Sequence, residues 1–141
     1  MSTPRICAII VSFNRKDLVA RCIEAVSMQT HPLDCVLVVD NASSDGTFDF
    51  LRQKGFIREE HADQSPRIVG RLGDHIDFRY VQLPKNLGGA GGFHTGLKAA
   101  FELNMFDYFW MMDDDGYPSA SCLQNLMHYI SDQDYLMPVS I

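Results

Sequence analysis

Residues 6–13 read Ile-Cys-Ala-Ile-Ile-Val-Ser-Phe, a continuous apolar run of strand length that is rich in β-branched side chains. Strands covered on both faces of a parallel sheet have this pattern, because neither face needs to be polar. The pattern then changes period. Leu18, Val19, Cys22, Ile23 and Val26 recur at three- and four-residue spacing within Lys16 to Gln29, with Asn14 as a candidate N-cap and Pro32 beyond the end, which predicts a helix with one apolar stripe. Cys35-Val-Leu-Val-Val-Asp40 repeats the buried-strand pattern, and Asn-Ala-Ser-Ser-Asp-Gly (41–46) supplies turn and cap residues before a second helix over Thr47 to Gln53.

From Gly55 to Asp77 charges mix with Pro66, Gly70 and Gly73 and no period is sustained, so residues 55–77 are expected to form a long surface insertion. Strand-like Phe78-Arg-Tyr-Val-Gln-Leu83 follows. After a glycine-rich turn, Phe93, Leu97, Ala100 and Phe101 predict a helix from about Phe93 to Asn104. Tyr108-Phe-Trp-Met-Met112 is a fourth strand, and a last helix is expected over Ser119 to Ile130. Strands and helices alternate without hairpin signals, which predicts a three-layer α/β/α domain with a mainly parallel sheet and right-handed crossovers.

Composition narrows the function. The chain has 141 residues, 46% of them hydrophobic, and is neither disordered nor collagen-like. A formal charge of -6 without a basic cluster argues against a nucleic-acid partner. No apolar stretch approaches the roughly 20 residues of a membrane helix, and no signal n-region is present, so a cytoplasmic protein is expected. The four cysteines form no CxxC pair and are expected to be free buried thiols.

In an open α/β sheet, ligands bind beyond the carboxyl ends of the strands. The polar motifs fall there: Ser12-Phe13-Asn14-Arg15, Asp40-Asn41, Asn86 to Gly92, and Asp113-Asp114-Asp115. Three adjacent carboxylates repel one another unless a cation is shared, and the two-residue period of the strand sends Asp113 and Asp115 to the same side. Mg2+ or Mn2+ suits such oxygen ligands; the alternative is a solvated acidic turn broken by Gly116 and Pro118. Asp40 suits a base or ribose, or else an Asx-turn. Asp45 suits the start of the second helix. Arg15 suits a base or phosphate, or is a plain surface charge. Four glycines among residues 88–92 allow close backbone approach to a ligand or tight helix–sheet packing, and they match neither GxGxxG nor the P-loop. His94 and Lys98, four apart, are more simply solvated than phosphate-binding. No nucleophile-elbow pattern supports a hydrolase.

Together, Val-Ser-Phe-Asn-Arg (11–15), Val-Val-Asp-Asn-Ala-Ser-Ser-Asp-Gly-Thr (38–47), Asn-Leu-Gly-Gly-Ala-Gly-Gly-Phe (86–93) and Met-Asp-Asp-Asp (112–115) resemble family 2 glycosyltransferases of the GT-A fold. The last two motifs resemble the galactofuranosyl- and rhamnosyltransferase-like branch. The resemblance implies a transferase that moves a sugar from a nucleotide-diphosphate donor of UDP or dTDP type to a glycan or lipid-linked acceptor in polysaccharide or cell-envelope synthesis, at the inner face of the membrane. It implies that Phe13, Asn14 and Arg15 line the base pocket, that Asp40 holds base or ribose, and that Asn86, Gly89 and Gly92 border the donor. It also implies that Asp114 faces ribose or sugar, and that Asp113 and Asp115 hold Mn2+ or Mg2+ as a DxD site. The family's general base lies downstream in the acceptor half. Asp132 and Asp134 follow the last predicted helix without the expected motif, so no base is assigned, and a truncated donor-binding part is expected. An edge left exposed by a missing half would favour a homo-oligomer. A non-catalytic nucleotide-sugar-binding module is the alternative, followed by a nucleotidyltransferase or phosphohydrolase.

Overall fold

The computed structural model describes residues 3–131, so the expectation for Asp132 and Asp134 lies outside the described residues. Chain order is β1 (Ile6–Ser12), α1 (Lys16–Ser27), β2 (Cys35–Asp40), α2 (Thr47–Gln53), β3 (Ile68–Leu72), β4 (Ile76–Gln82), α3 (Gly88–Glu102), β5 (Tyr108–Asp113) and α4 (Cys122–Ser131). The five strands form one sheet in the order β3-β4-β2-β1-β5. All pairings are parallel except β3 with β4. None of the helices among the described residues is long and apolar enough to cross a membrane.

Every residue of β1 and β2 is buried, as their unbroken apolar runs require. Alternation along the strands divides the core in two. Ile10, Val38, Phe78 and Trp110 face Val19, Ile23, Leu51 and Leu123 of α1, α2 and α4. Ile9, Leu37, Val39 and Val81 face Leu97 and Ala100 of α3. The three-layer expectation therefore holds.

Two expectations are corrected. Residues 55–77 are not wholly an irregular insertion: Ile68–Leu72 forms an edge strand, and residues 73–75 turn it into β4, with Gly73 at φ 59°. The alternation that would have revealed this strand is interrupted by a register shift between Ile68 and Gly70. Gly70 also lies under the crossing chain, where the Arg58 N–H donates to the Val69 carbonyl at 2.7 Å. A Cβ at Gly70 would collide with the Phe56 carbonyl oxygen. The other correction is that α3 starts at Gly88 rather than Phe93, so the glycine segment is helical. Glycine disfavours helix by about 1 kcal/mol per residue, but tertiary packing overrides that preference here. Gly92, Gly96 and Ala100 form the buried stripe of α3, and a Cβ at Gly96 would meet Val39 Cγ2 at 2.7 Å and Ile9 Cγ2 at 2.8 Å. Small side chains at these positions let the helix lie directly on β1 and β2.

The register also builds the site. Ser12 pairs with Asp40, and Asp40 with Gln82, while β5 runs one residue behind so that Asp113 pairs with Val11. Asp114 thus arrives beside Ser12, and the polar strand ends form one row.

Two measurements follow from this packing. Gly70→Ala is expected to cost about 3 kcal/mol through backbone overpacking, read as a fall in Tm of about 10 °C; an unchanged Tm would show that the 56–58 crossing is loose. Cys7, Cys22 and Cys35 are buried and Cys122 is partly exposed. A thiol reagent at pH 8 is therefore expected to label the native protein mainly at Cys122, and Cys122→Ser to abolish the fast phase.

Candidate functional site

The row of strand ends opens into a cleft of about 460 Å³, lined by Ser12, Phe13 and Arg15 from the β1 end, Asn41 from the β2 end, Asn86, Gly88 and Gly89 from the start of α3, and Asp113, Asp114 and Asp115 from the β5 end. Of the residues singled out in the sequence, the structure brings together Phe13, Arg15, Asn86, Gly89 and the three aspartates. Phe13 is half exposed, an aromatic face open to solvent. Gly89 has open space where a Cβ would be.

Asp114 is the buried member of the acidic triplet, 5% exposed, with Asp113 and Asp115 exposed on either side. Its Oδ2 accepts from Ser12 Oγ at 3.1 Å, and its Oδ1 from Arg15 Nη1 at 3.4 Å. Burial raises its pKa above the ordinary carboxylate value, although the Ser12 hydroxyl, the Arg15 charge and the Phe13 backbone N–H all oppose that shift. Beneath the turn, Cys22 Sγ lies 3.7 Å from the Asp113 carbonyl. Burial, and then Asp114, Asp115 and Asp113, push the Cys22 thiol up to about 12.

Asp113 and Asp115 are the carboxylates available to a cation. Among the described residues no group of three or more His, Cys, Asp or Glu is placed to hold a metal ion. The donor set fits a hard divalent ion that takes one or two protein carboxylates and completes its shell with water and phosphate. It does not fit an all-protein cage.

The remaining candidates do not line this cleft. Asp40 is 1% exposed; its Oδ1 accepts the Ser43 N–H at 2.8 Å and its Oδ2 accepts the Tyr80 hydroxyl. It borders a neighbouring cleft of about 280 Å³ whose other side is formed by Glu60, His61 and Ala62 of the inserted segment. Burial and the Asp40 carboxylate hold the Tyr80 pKa well above its usual value, so the phenol remains a donor. Asn14, at φ 51°, accepts the Ser44 N–H at 2.7 Å, and its own N–H donates to Ser43 Oγ at 2.9 Å. It does not cap α1 through its side chain; Arg15 stands at that N-cap position. Asp45 serves both helix starts, accepting from the Lys16 N–H at 3.1 Å and from the Thr47 hydroxyl. Gly92 is buried against Val11 and Asn41, in the helix–sheet interface.

Sequence reasoning placed Ser12 and Asn41 within the strand-end motifs without a role of their own, and it did not single out Tyr80. The available signals were a hydroxyl at the last position of a buried strand, an amide directly after a strand-end aspartate, and a tyrosine two residues from the end of its strand.

The fold is thus a mainly parallel sheet with helices on both faces and an acidic triplet at the strand ends, and its solved neighbours are glycosyltransferases of the GT-A fold. The structure superposes on the mannosyltransferase PcManGT from Pyrobaculum calidifontis, solved with GDP-Man and Mn2+, with a TM-score of 0.68 at 24% identity, covering 94% of this chain and 34% of that one. S. aureus TarS 1–349 in complex with UDP gives a TM-score of 0.63 at 18% identity, covering 91% and 32%. Residues 7–140 match the profile of glycosyl transferase family 2, and the chain belongs to that family. Galactofuranosyltransferase GlfT1 of Mycolicibacterium smegmatis is 31% identical over 118 residues, 83% of this chain and 32% of that protein. GlfT1 of Mycobacterium tuberculosis is 33% identical over 115 residues, 82% and 32%. The chain thus spans about a third of the length of the curated relatives it matches.

Tyr80→Phe is expected to leave Asp40 Oδ2 buried without its donor. The cost should be about 1–3 kcal/mol in urea unfolding with the m-value unchanged. A loss below about 0.5 kcal/mol would mean that the Asp40–Tyr80 bond does not brace the site.

Proposed function

We propose that this chain is the donor-binding part of a glycosyltransferase and that the 460 Å³ cleft receives a nucleotide-diphosphate sugar of UDP or dTDP type. The observation that carries this reading is the convergence of Phe13, Arg15, Asn86, Gly89 and the aspartate triplet in one cleft at the carboxyl ends of the strands. Phe13 offers a face for the base, with Asn14 behind it. Asp40 fixes the turn beside the base and ribose, and Gly92 lets the start of α3 close on the sheet. Asp114, braced by Ser12 and Arg15, faces the ribose or sugar.

Asp113 and Asp115 would hold Mn2+ or Mg2+. Such an ion neutralises the charge that develops on a diphosphate leaving group as the glycosidic bond breaks. The galactofuranosyltransferases named above support a galactofuranose-type donor; rhamnose is the alternative sugar of this proposal, and its acceptor is a glycan or lipid-linked glycan of the cell envelope. Work on such an acceptor fits a cytoplasmic site peripheral to the membrane. The general base of an inverting transfer is not assigned to any described residue. A homo-oligomer through β5, an edge strand of the sheet among the described residues, belongs to the same proposal.

Calorimetry with UDP and with dTDP, each with and without Mn2+, tests the reading. One nucleotide is expected to bind, at least tenfold more tightly with Mn2+. Asp113→Ala and Asp115→Ala should each abolish that enhancement. Binding indifferent to Mn2+ and to both substitutions would overturn the metal site, and absence of binding to either nucleotide would overturn the donor reading. Release or transfer of sugar from a bound donor then distinguishes an enzyme from a non-catalytic binding module.

A further inference from the structure

Asn41 has no role in the reading above, yet it is 3% exposed and lines the cleft. Its side chain makes two bonds to one short piece of chain. Oδ1 accepts the Leu87 N–H at 3.0 Å, and Nδ2 donates to the Gly88 carbonyl at 2.9 Å. Its backbone N–H donates to the Ser12 carbonyl at 2.9 Å, which fixes Asn41 to the end of β1. The segment it grips needs such a hold. Gly88 sits at φ 76°, and Asn86 Oδ1 bonds only to the N–H of Gly88, from within the turn. The glycines that follow would otherwise sample many backbone states, and a ligand would have to order them on binding. The fit is close on the helix side as well, since a Cβ at Gly92 would stand 3.0 Å from Asn41 Nδ2.

We propose that Asn41 is a positioning residue: by holding the Leu87 N–H and the Gly88 carbonyl together, it preorganises the 86–89 wall of the cleft for the donor. This rests on the donor reading of the same cleft. Among the described residues the hydrogen bonds of Asn41 go to Ser12, Leu87 and Gly88 and not to the aspartate triplet, so its contribution is separate from the cation's. Loss of its grip weakens nucleotide binding by requiring the wall to be ordered anew. The enhancement given by Mn2+ persists, because Asp113 and Asp115 are unchanged.

Two variants and two readouts test this. Asn41→Ser removes both bonds without adding bulk against Gly92; Asn41→Asp keeps an acceptor for Leu87 but loses the donor to Gly88. In Asn41→Ser, amide exchange at Leu87 is expected to quicken at least tenfold, while amides of β1 and β2 exchange as in the wild type. Both variants should bind the nucleotide about tenfold more weakly than the wild type and retain its fold-enhancement by Mn2+. Unchanged exchange at Leu87, or unchanged affinity in both variants while the wild type binds, would overturn the role of Asn41 and leave the donor reading standing. Loss of the Mn2+ enhancement together with faster exchange in β1 and β2 would show a structural role only and would also overturn it. A wild-type protein that binds neither nucleotide would overturn the donor reading itself, and with it the role of Asn41 in the cleft.

Discussion

The site depends on the hydrogen bonds made by Asp40, the last residue of β2, and by the six residues that connect it to α2. Asp40 ties the turn to Tyr80 of β4, Asn41 ties it to Leu87 and Gly88, Ser43 and Ser44 to Asn14, and Asp45 to the first turn of α1. A parallel sheet fixes its strands but leaves the chain beyond each carboxyl end free, so the walls of a cleft built there need their own bracing. Neutral side-chain bonds contribute about 1 kcal/mol each in net terms, whereas a buried carboxylate or amide left unpaired costs more than that. The loop is therefore held as a set, with each partner in place because the alternative is an orphaned buried group. In this way one segment sets the relative positions of the β1–α1, β2–α2 and β4–α3 connections.

The β5 connection is joined to the rim by a different kind of interaction. Asp114 is taken out of water between Ser12 and Arg15, and its raised pKa shows that desolvation outweighs those partners. The Arg15 side chain is itself half exposed, so solvent screens its attraction and the pair alone contributes little. Two further carboxylates stand exposed beside it, and after burial itself the three aspartates raise the pKa of Cys22. Adjacent carboxylates repel one another, and their exposure to water at Asp113 and Asp115 lets solvent screen that repulsion. The braced loop, through Asn41, and the acidic turn thus line the same cleft, the first held by hydrogen bonds and the second presenting two exposed carboxylates.

Much of this was legible in the sequence. The apolar runs of β1 and β2 and the 3.6-residue stripe of α1 depend on local period and burial alone. They were readable for that reason, as was the aspartate triplet at a strand end. Features that depend on distant neighbours were not. β3 is a strand because β4 pairs with it, and its alternation is broken at Gly70, where the Phe56 backbone crosses. The segment 88–92 is helical because β1 and β2 accept a glycine-rich face, against its own propensity. Asp40 was readable as the polar end of a buried strand, but its partner Tyr80 lies on a strand forty residues away, and no local signal joins the two.

The glycines of α3 connect the packing to the chemistry. Gly92 and Gly96 are small so that the helix can lie on Val11, Val39 and Ile9, and this close approach brings the start of α3 within reach of Asn41 at the end of β2. A larger residue at Gly92 would lift the helix and separate the Leu87–Gly88 pair from the amide that holds it. The stripe that reads as core packing is thus also what allows the cleft wall to be fixed by a single side chain. Packing and site geometry are therefore one constraint here: the sheet surface sets the helix height, the helix height sets the amide bonds, and the amide bonds set the wall that faces the acidic turn.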